Sequence, residues 1–276
     1  MYLYNFHSHS CFDDGKCSPE EYLTEAIRLG FKSYGFSGHA PLPFESVWCI
    51  QKENFQKYLE EINLLKDKYA GIIDVYSGLE IDYIKGITGP AKFMEYKLDY
   101  VIGSVHFVEK GGEIFEIDGP YENFEKGFKE VFDCDKKALV YNFYEKTCDF
   151  LKSDKPDLLG HFDKVKLHLM RTVPGLEAEE WYKNLLKDVL VEIKNSGVIV
   201  EINVRGIYKG YTKEPYPAYD IIKQMKRLGI KISLNSDSHH INEITSKYDE
   251  VIPVLKAIGY EESMVFDRGF WKTTKF

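Results

Sequence analysis

Apolar, β-favouring runs recur along this chain, and nearly every one ends on a histidine, an aspartate or a glutamate. The first, 2–6, stops at His7-Ser8-His9. Further runs at 33–37, 72–79, 99–105, 157–160, 198–203 and 230–235 lead into His39, Glu80 with Asp82, His106, His161, Arg205, and Asp237 with His239. Helical segments separate them. Ser18-Pro19-Glu20-Glu21 supplies an N-cap, a proline at the first helical position and a capping-box glutamate, and Gly30 ends the helix that follows. Helical patterns also cover 53–69, 90–97, 121–151, 178–196, 216–228 and 245–257, and a loop with Gly111 and Gly112 joins His106 to the 121–151 region. Strand followed by helix about seven times implies a parallel sheet, and in an α/β barrel the chemistry sits at the C-terminal ends of the strands.

That is where the polar residues gather. Alternate residues of an extended chain point the same way, so His7 and His9 aim both imidazoles to one side. Two imidazoles aimed into a cleft suit a metal ion. Six of the eight histidines lie within a few residues of an expected strand end; His168 reads as a surface residue and His240 as a neighbour of the site. The joint pattern points to a metal centre.

Composition narrows the rest. The 276 residues suit an α/β barrel as a single domain, 1–276, with no repeat or linker. No apolar run reaches the ~20 residues of a membrane helix, and the start of the chain lacks signal-peptide features, so no membrane partner is expected. The net charge of −8 argues against a nucleic-acid partner. Cys11, Cys17, Cys49, Cys134 and Cys148 show no C-x-x-C spacing, which suits a reducing compartment and makes the cytoplasm the expected location. The 20 Tyr and 18 Phe are expected in the core and as pocket lining. Oligomeric state is not legible.

His7-Ser8-His9, Asp14-Gly15, Ser37-Gly38-His39, Gly78-Leu79-Glu80, Gly103-Ser104-Val105-His106, Gly160-His161-Phe162-Asp163 and Asn235-Ser236-Asp237-Ser238-His239 together resemble the PHP (polymerase and histidinol phosphatase) superfamily. Residues 103–107 and 201–203 look most like its histidinol-phosphate phosphatase branch. The resemblance implies a distorted (β/α)7 TIM-like barrel and three divalent metal ions, Zn, Mn or Fe. Carried over, His7, His9, Glu80 and Asp237 hold the first ion. Glu80 bridges to a second, held also by His106 and His161. Asp14, with Asp13 beside it as the alternative, holds the third with His39 and His239. Glu80, Asp237 and His239 take catalytic roles as well. Asp163 is expected to fix the tautomer of its neighbour His161.

The expected reaction is metal-dependent hydrolysis of a small phosphomonoester, L-histidinol phosphate, by attack of a hydroxide bridging two ions. Phosphate binding calls for cations. Arg205 follows a strand, and Lys166 and Lys209 are further candidates; Lys164 and Lys166 occupy a region where many relatives carry an arginine. The stretch from Phe44 to Trp48 could wall an imidazole. Competing readings are a PHP phosphoesterase for another small phosphomonoester or a nucleotide, an amidohydrolase, and a non-catalytic metal-binding module. Amidohydrolases commonly bridge their metals with a lysine, and here the strand ends offer Glu80 instead.

Overall fold

The structure, a computed structural model, describes residues 3–276; Tyr2, where the expected first strand begins, lies outside the described residues. The elements in order are β1 (Tyr4–Asn5), α1 (Pro19–Leu29), β2 (Ser33–Phe36), α2 (Lys52–Lys68), β3 (Asp74–Asp82), β4 (Tyr100–Ser104), β5 (Phe107–Lys110), β6 (Glu113–Glu116), α3 (Tyr121–Glu130), α4 (Lys136–Ser153), β7 (Leu158–Leu159), α5 (Lys166–Thr172), α6 (Glu180–Ser196), β8 (Ile199–Asn203), α7 (Arg205–Tyr208), α8 (Tyr219–Leu228), β9 (Ile232–Asn235), α9 (Tyr248–Ile258), β10 (Glu262–Asp267) and β11 (Phe270–Lys275). The segment Pro90–Tyr96 is a 3₁₀ helix. The α1 start carries the full capping box, Ser18 with Glu21, and Gly30 takes the left-handed conformation at its end (φ 84°).

Seven parallel strands form one sheet in the order β1-β2-β3-β4-β7-β8-β9. It closes into a distorted (β/α)7 barrel, and side chains do much of the closing. Phe6 N–H donates to the Asn235 side-chain oxygen (2.8 Å) and Ser236 N–H to that of Asn5 (2.9 Å), so two amides stand in for a backbone ladder. Past the strand ends, Ser8 and Ser238 form a parallel bridge. Both outer faces of the sheet are covered. Tyr22, Leu23 and Ala26 of α1 and Phe55, Tyr58 and Ile62 of α2 pack on one flank, and α3 to α6, α8 and α9 cover the other.

Inside the barrel, Tyr100 donates its hydroxyl to the Phe6 carbonyl (2.6 Å). A β-carbon at Gly35 or Gly78 would come within 2.4 or 2.5 Å of its ring, so both glycines make room for it. The glycine of Gly78-Leu79-Glu80 thus serves packing rather than chemistry.

The elements depart from expectation in four places. The loop expected after His106 is a hairpin, β5 against β6, turning on Gly111 and Gly112, both at positive φ. The chain does not end on its last helix: β10 and β11 form a second hairpin, turning on Arg268 and Gly269, also both at positive φ. Mirror-image two-residue turns match the twist of their strands, which is what lets such short connections form. The expected 121–151 helix is two helices, α3 and α4, and α5 went unforeseen. The second hairpin plugs the barrel: Met264, Val265 and Phe266 pack on Tyr4, Tyr100, Leu158 and Ile199, each the first residue of its strand. Among the described residues no helix is long and apolar enough to cross a membrane.

Candidate metal centre

Opposite the plug, the C-terminal strand ends line a cavity of about 660 Å³. Its floor is built on Glu80, which the register of β3 between β2 and β4 drives inward. Pairing with the second strand continues to His39, whose neighbour Ala40 donates its N–H to the Glu80 carbonyl (2.8 Å). The carboxylate faces two groups at once. Oε2 lies 3.1 Å from His7 Nε2, 3.5 Å from His9 Nε2 and 3.1 Å from His39 Nδ1. Oε1 lies 3.0 Å from His161 Nε2 and 3.6 Å from His106 Nε2, and accepts a bond from Ser104 Oγ (2.6 Å).

Asp237 Oδ1 completes the first group, 3.3 Å from His9 Nε2 and 3.8 Å from His7 Nε2. Its backbone sits in the left-handed region (φ 53°), a costly conformation for a residue other than glycine. Arg205 Nη1 and the Tyr208 hydroxyl both donate to its carbonyl (3.0 and 2.8 Å) and hold it there. A third group comprises His9, Asp14, His39 and His239, with Asp14 Oδ1 3.0 Å from His239 Nε2 and the His9 ring 4.3 Å from His39 and 4.1 Å from His239. All nine residues expected as metal ligands therefore converge on one floor. Asp13 and Asp14 divide: Asp14 faces the cluster, while Asp13 Oδ2 accepts from His9 Nδ1 (2.6 Å) and the His39 N–H (3.1 Å).

A layer of carboxylates behind the cavity floor orients the rings. Glu201 Oε1 is 2.6 Å from His7 Nδ1, and Asp82 Oδ1 is 3.0 Å from His106 Nδ1. Each fixes which nitrogen its imidazole turns to the cavity. Asp82 lies two residues beyond Glu80 on β3 and shares its inward side, and Glu201 lies on β8 within the 201–203 segment that carries the family resemblance.

The donor set fits divalent cations. His9 Nε2 and His39 Nδ1 are buried without a hydrogen bond, and His106 Nε2 faces His161 Nε2 at 3.3 Å. Burial would hold the carboxylates of Glu80 and Asp237 neutral, but the surrounding imidazoles, and Arg205 beside Asp237, draw them well below the usual carboxylate range. The imidazoles cannot all answer. Burial works against every one; the neighbouring carboxylates carry His7 well above its ordinary value, His9 to about 10 and His106 to about 9. Burial together with nearby cations depresses His39, His161 and His239. The neutral rings of His39, His161 and His239 offer lone pairs, and a divalent cation such as Zn, Mn or Fe would replace the protons that the carboxylates otherwise draw onto His7, His9 and His106.

The basic residues separate. Arg205 lines the cavity, with Nη1 2.6 Å from His239 Nδ1. Lys164 lines it too, its Nζ 2.7 Å from Asp118 and 3.5 Å from His106 Nε2. Lys166 and Lys209, expected to bind substrate, do not. Lys166 is buried against Asp163 (2.6 Å) and Glu177 (3.3 Å), and Lys209 is tied to Glu243. Asp163 is thereby spent on Lys166 and the Ala218 N–H (3.0 Å) rather than on an imidazole. His168 is buried too, 2.7 Å from the Gly119 carbonyl and near the rings of Tyr121 and Phe124. His240 does not line the cavity; its Nδ1 accepts the Asn242 N–H.

The cavity wall has two further features. Trp48 stands edge-on to His39 (4.6 Å) and stacks on Phe107 (5.9 Å), with Phe44 against Phe107 (5.6 Å). Glu45, Glu116 and Asp118 add carboxylates. Burial, together with Asp118 and Asp82, pushes Glu116 up to about 7. Glu116 ends the hairpin where a loop is expected, and Asp118 follows it by two residues; paired glycines between Phe-Val-Glu-Lys and Glu-Ile-Phe-Glu are the signal for that hairpin.

Residues 4–205 match the family pattern of the PHP domain. The histidinol-phosphatase of Bacillus subtilis is 26% identical over 262 residues, covering 89% of this chain and 96% of that one. A solved histidinol phosphate phosphatase from Lactococcus lactis, complexed with Zn, L-histidinol and phosphate, superposes with a TM-score of 0.71 at 22% identity, over 98% of each chain. A solved chain from Listeria monocytogenes gives a TM-score of 0.78 at 23% identity, over 90% of this chain and 99% of that one.

Proposed function

This chain belongs to the PHP domain family, and on that premise we propose that it is a metal-dependent phosphomonoesterase, one domain over 1–276, that hydrolyses L-histidinol phosphate to L-histidinol and phosphate in histidine biosynthesis. The observation that carries the reading is the Glu80 carboxylate, whose two oxygens serve two separate sets of imidazoles at the floor of a cavity. One carboxylate shared in this way suits two ions close enough to act on one phosphoryl group.

His7, His9, Glu80 and Asp237 would hold one ion, Glu80, His106 and His161 a second, and Asp14, His39 and His239 a third. Zn, Mn or Fe bound there supplies Lewis acidity and lowers the pKa of water enough to give a nucleophile at neutral pH. The rest falls to the chain. Arg205 and Lys164 present positive charge to the phosphate oxygens, where phosphoryl transfer gains most of its stabilisation. Burial would strip the Lys164 proton, but Asp118, Asp237 and Glu80 hold its pKa above the ordinary lysine value, so it stays cationic. Glu80, Asp237 and His239, which line the cavity where the metal-ligand groups meet, take the catalytic roles in this reading.

The substrate follows from the polarity of the cavity. Arg205 and Lys164 in its lining suit a phosphate; Glu45 and Glu116 suit an ammonium; Trp48 and Phe107 offer an aromatic slot for an imidazole. A relative of the same fold, solved with Zn, L-histidinol and phosphate, supports that choice. The five cysteines are all free thiols, in keeping with a cytoplasmic enzyme, and the net charge of −8 argues against a nucleic-acid partner.

The test is steady-state kinetics on histidinol phosphate beside a panel of sugar phosphates and nucleotides, in Mn and in Zn. A kcat/KM for histidinol phosphate above about 10⁴ M⁻¹s⁻¹, within the usual enzyme range, and the highest of the panel is the expected result. A nucleotide or sugar phosphate clearly better would overturn the substrate and leave the metal centre standing.

A further inference from the structure

A second cavity, about 870 Å³, opens between α5, α6 and α8, outside the metal centre. Its volume falls within the range of small-molecule sites. The deep side chains are apolar: Tyr182, Leu186, Ala218 and Ile221 are all at least nine-tenths buried. The rim is cationic on a chain whose net charge is −8.

The charges of that rim do not cancel. Each of its three carboxylates is engaged within the fold: Glu177 by Lys166, Asp220 by Lys223, and Glu214 by the Tyr219 N–H. Lys183 has its own partner in Glu180. Among the described residues, Lys213 and Arg227 make no ion pair, and Lys187 meets only the Asn184 amide. Arg171 lies over the Tyr121 ring at 3.8 Å, with its charge likewise unmatched by a carboxylate. Four cations without an ion-pair partner, against the single carboxylate of Glu214 that meets only an amide N–H, therefore surround an apolar floor.

We propose that this cleft is a second ligand site, for a small organic anion that carries a phosphate, sulfonate or carboxylate head on a flat apolar body. The head meets the Lys213 and Arg227 rim while the body covers Leu186 and Ile221. An inorganic anion would leave the floor wet, and a neutral aromatic would leave the rim unmatched. The site has a route to the metal centre. Lys166 in its wall grips Asp163, which is two residues from His161 and next to Lys164, and Leu167 and Tyr211 line both cavities.

The probe is 1-anilinonaphthalene-8-sulfonate, titrated by fluorescence and calorimetry into the full chain loaded with metal. The neutral N-phenyl-1-naphthylamine serves as the uncharged comparison. Saturable one-to-one binding of the sulfonate, tighter than that of the neutral analogue, is expected. It should weaken about tenfold or more in Lys213→Glu/Arg227→Glu, a loss of ~1.4 kcal/mol, and be unchanged in Trp48→Ala, which alters only the catalytic cavity. Both reversed residues are exposed and outside the catalytic machinery, so turnover of the double variant stays at the parental level. No saturable binding, equal binding of the neutral analogue, indifference to the double reversal, or loss in Trp48→Ala would each overturn the proposal.

Discussion

At its N-terminal end the barrel is stoppered by rings, with Phe266 edge-on to Tyr76 (5.1 Å) and Trp271 edge-on to Phe6 (5.5 Å). At its C-terminal end, buried carboxylates and imidazoles crowd together, with ring nitrogens left without a hydrogen bond. The first arrangement gains free energy by removing apolar surface from water. The second costs free energy, because buried charge without full pairing is expensive. The same strands serve both ends, so stability at one end underwrites a poised, ion-hungry site at the other.

Substitutions can separate the two. Glu80→Gln removes the shared charge and should cut turnover by about 10³-fold or more, the upper end of what losing one electrostatic stabiliser costs, and should lower the thermal midpoint of metal-free protein at neutral pH, because the imidazoles that hold this carboxyl below its ordinary pKa lose their partner. Near-native turnover with full metal content would mean the ligand map is wrong at its centre. Phe266→Ala is the converse: a stability loss of about 3–5 kcal/mol by denaturant titration, with kcat per folded molecule preserved. A large fall in kcat at full folding would show that the plug is not a separate structural device.

How far the sequence revealed each end follows from the same contrast. The mouth was legible because metal chemistry needs particular residue types at strand ends, and the spacing of His7 and His9, or Gly103 to His106, declares both a strand and an imidazole at its end. The plug was not. Phe266, Trp271 and Tyr100 are ordinary aromatic residues whose partners are distant in sequence, and the Arg268-Gly269 turn gives little warning of a hairpin. Lysines were misjudged for a related reason. Lys164 and Lys166 are two residues apart, yet one reaches the cavity and the other Asp163 and Glu177, because the chain turns into α5 between strand and helix.

Two smaller effects sharpen the picture of the mouth. Glu201→Gln keeps the shape beside His7 Nδ1 and removes the charge; metal affinity, read by chelator competition, should fall about 10- to 100-fold. No change would assign Glu201 to packing alone. Lys209→Ala should alter KM and kcat by no more than about twofold, since Lys209 does not line the cavity and reaches the site only through a half-buried ion pair with Glu243, which accepts the His239 N–H. A tenfold rise in KM would return Lys209 to the phosphate-binding set.

The most direct test of the central claim is phosphate release from histidinol phosphate by protein stripped of metal with a chelator and then titrated with Zn or Mn, while bound metal is counted by elemental analysis. Activity should vanish on stripping and return in step with metal uptake, saturating at three ions per chain. Full activity in the stripped protein, or restored metal content without phosphate release from this substrate, would contradict the account.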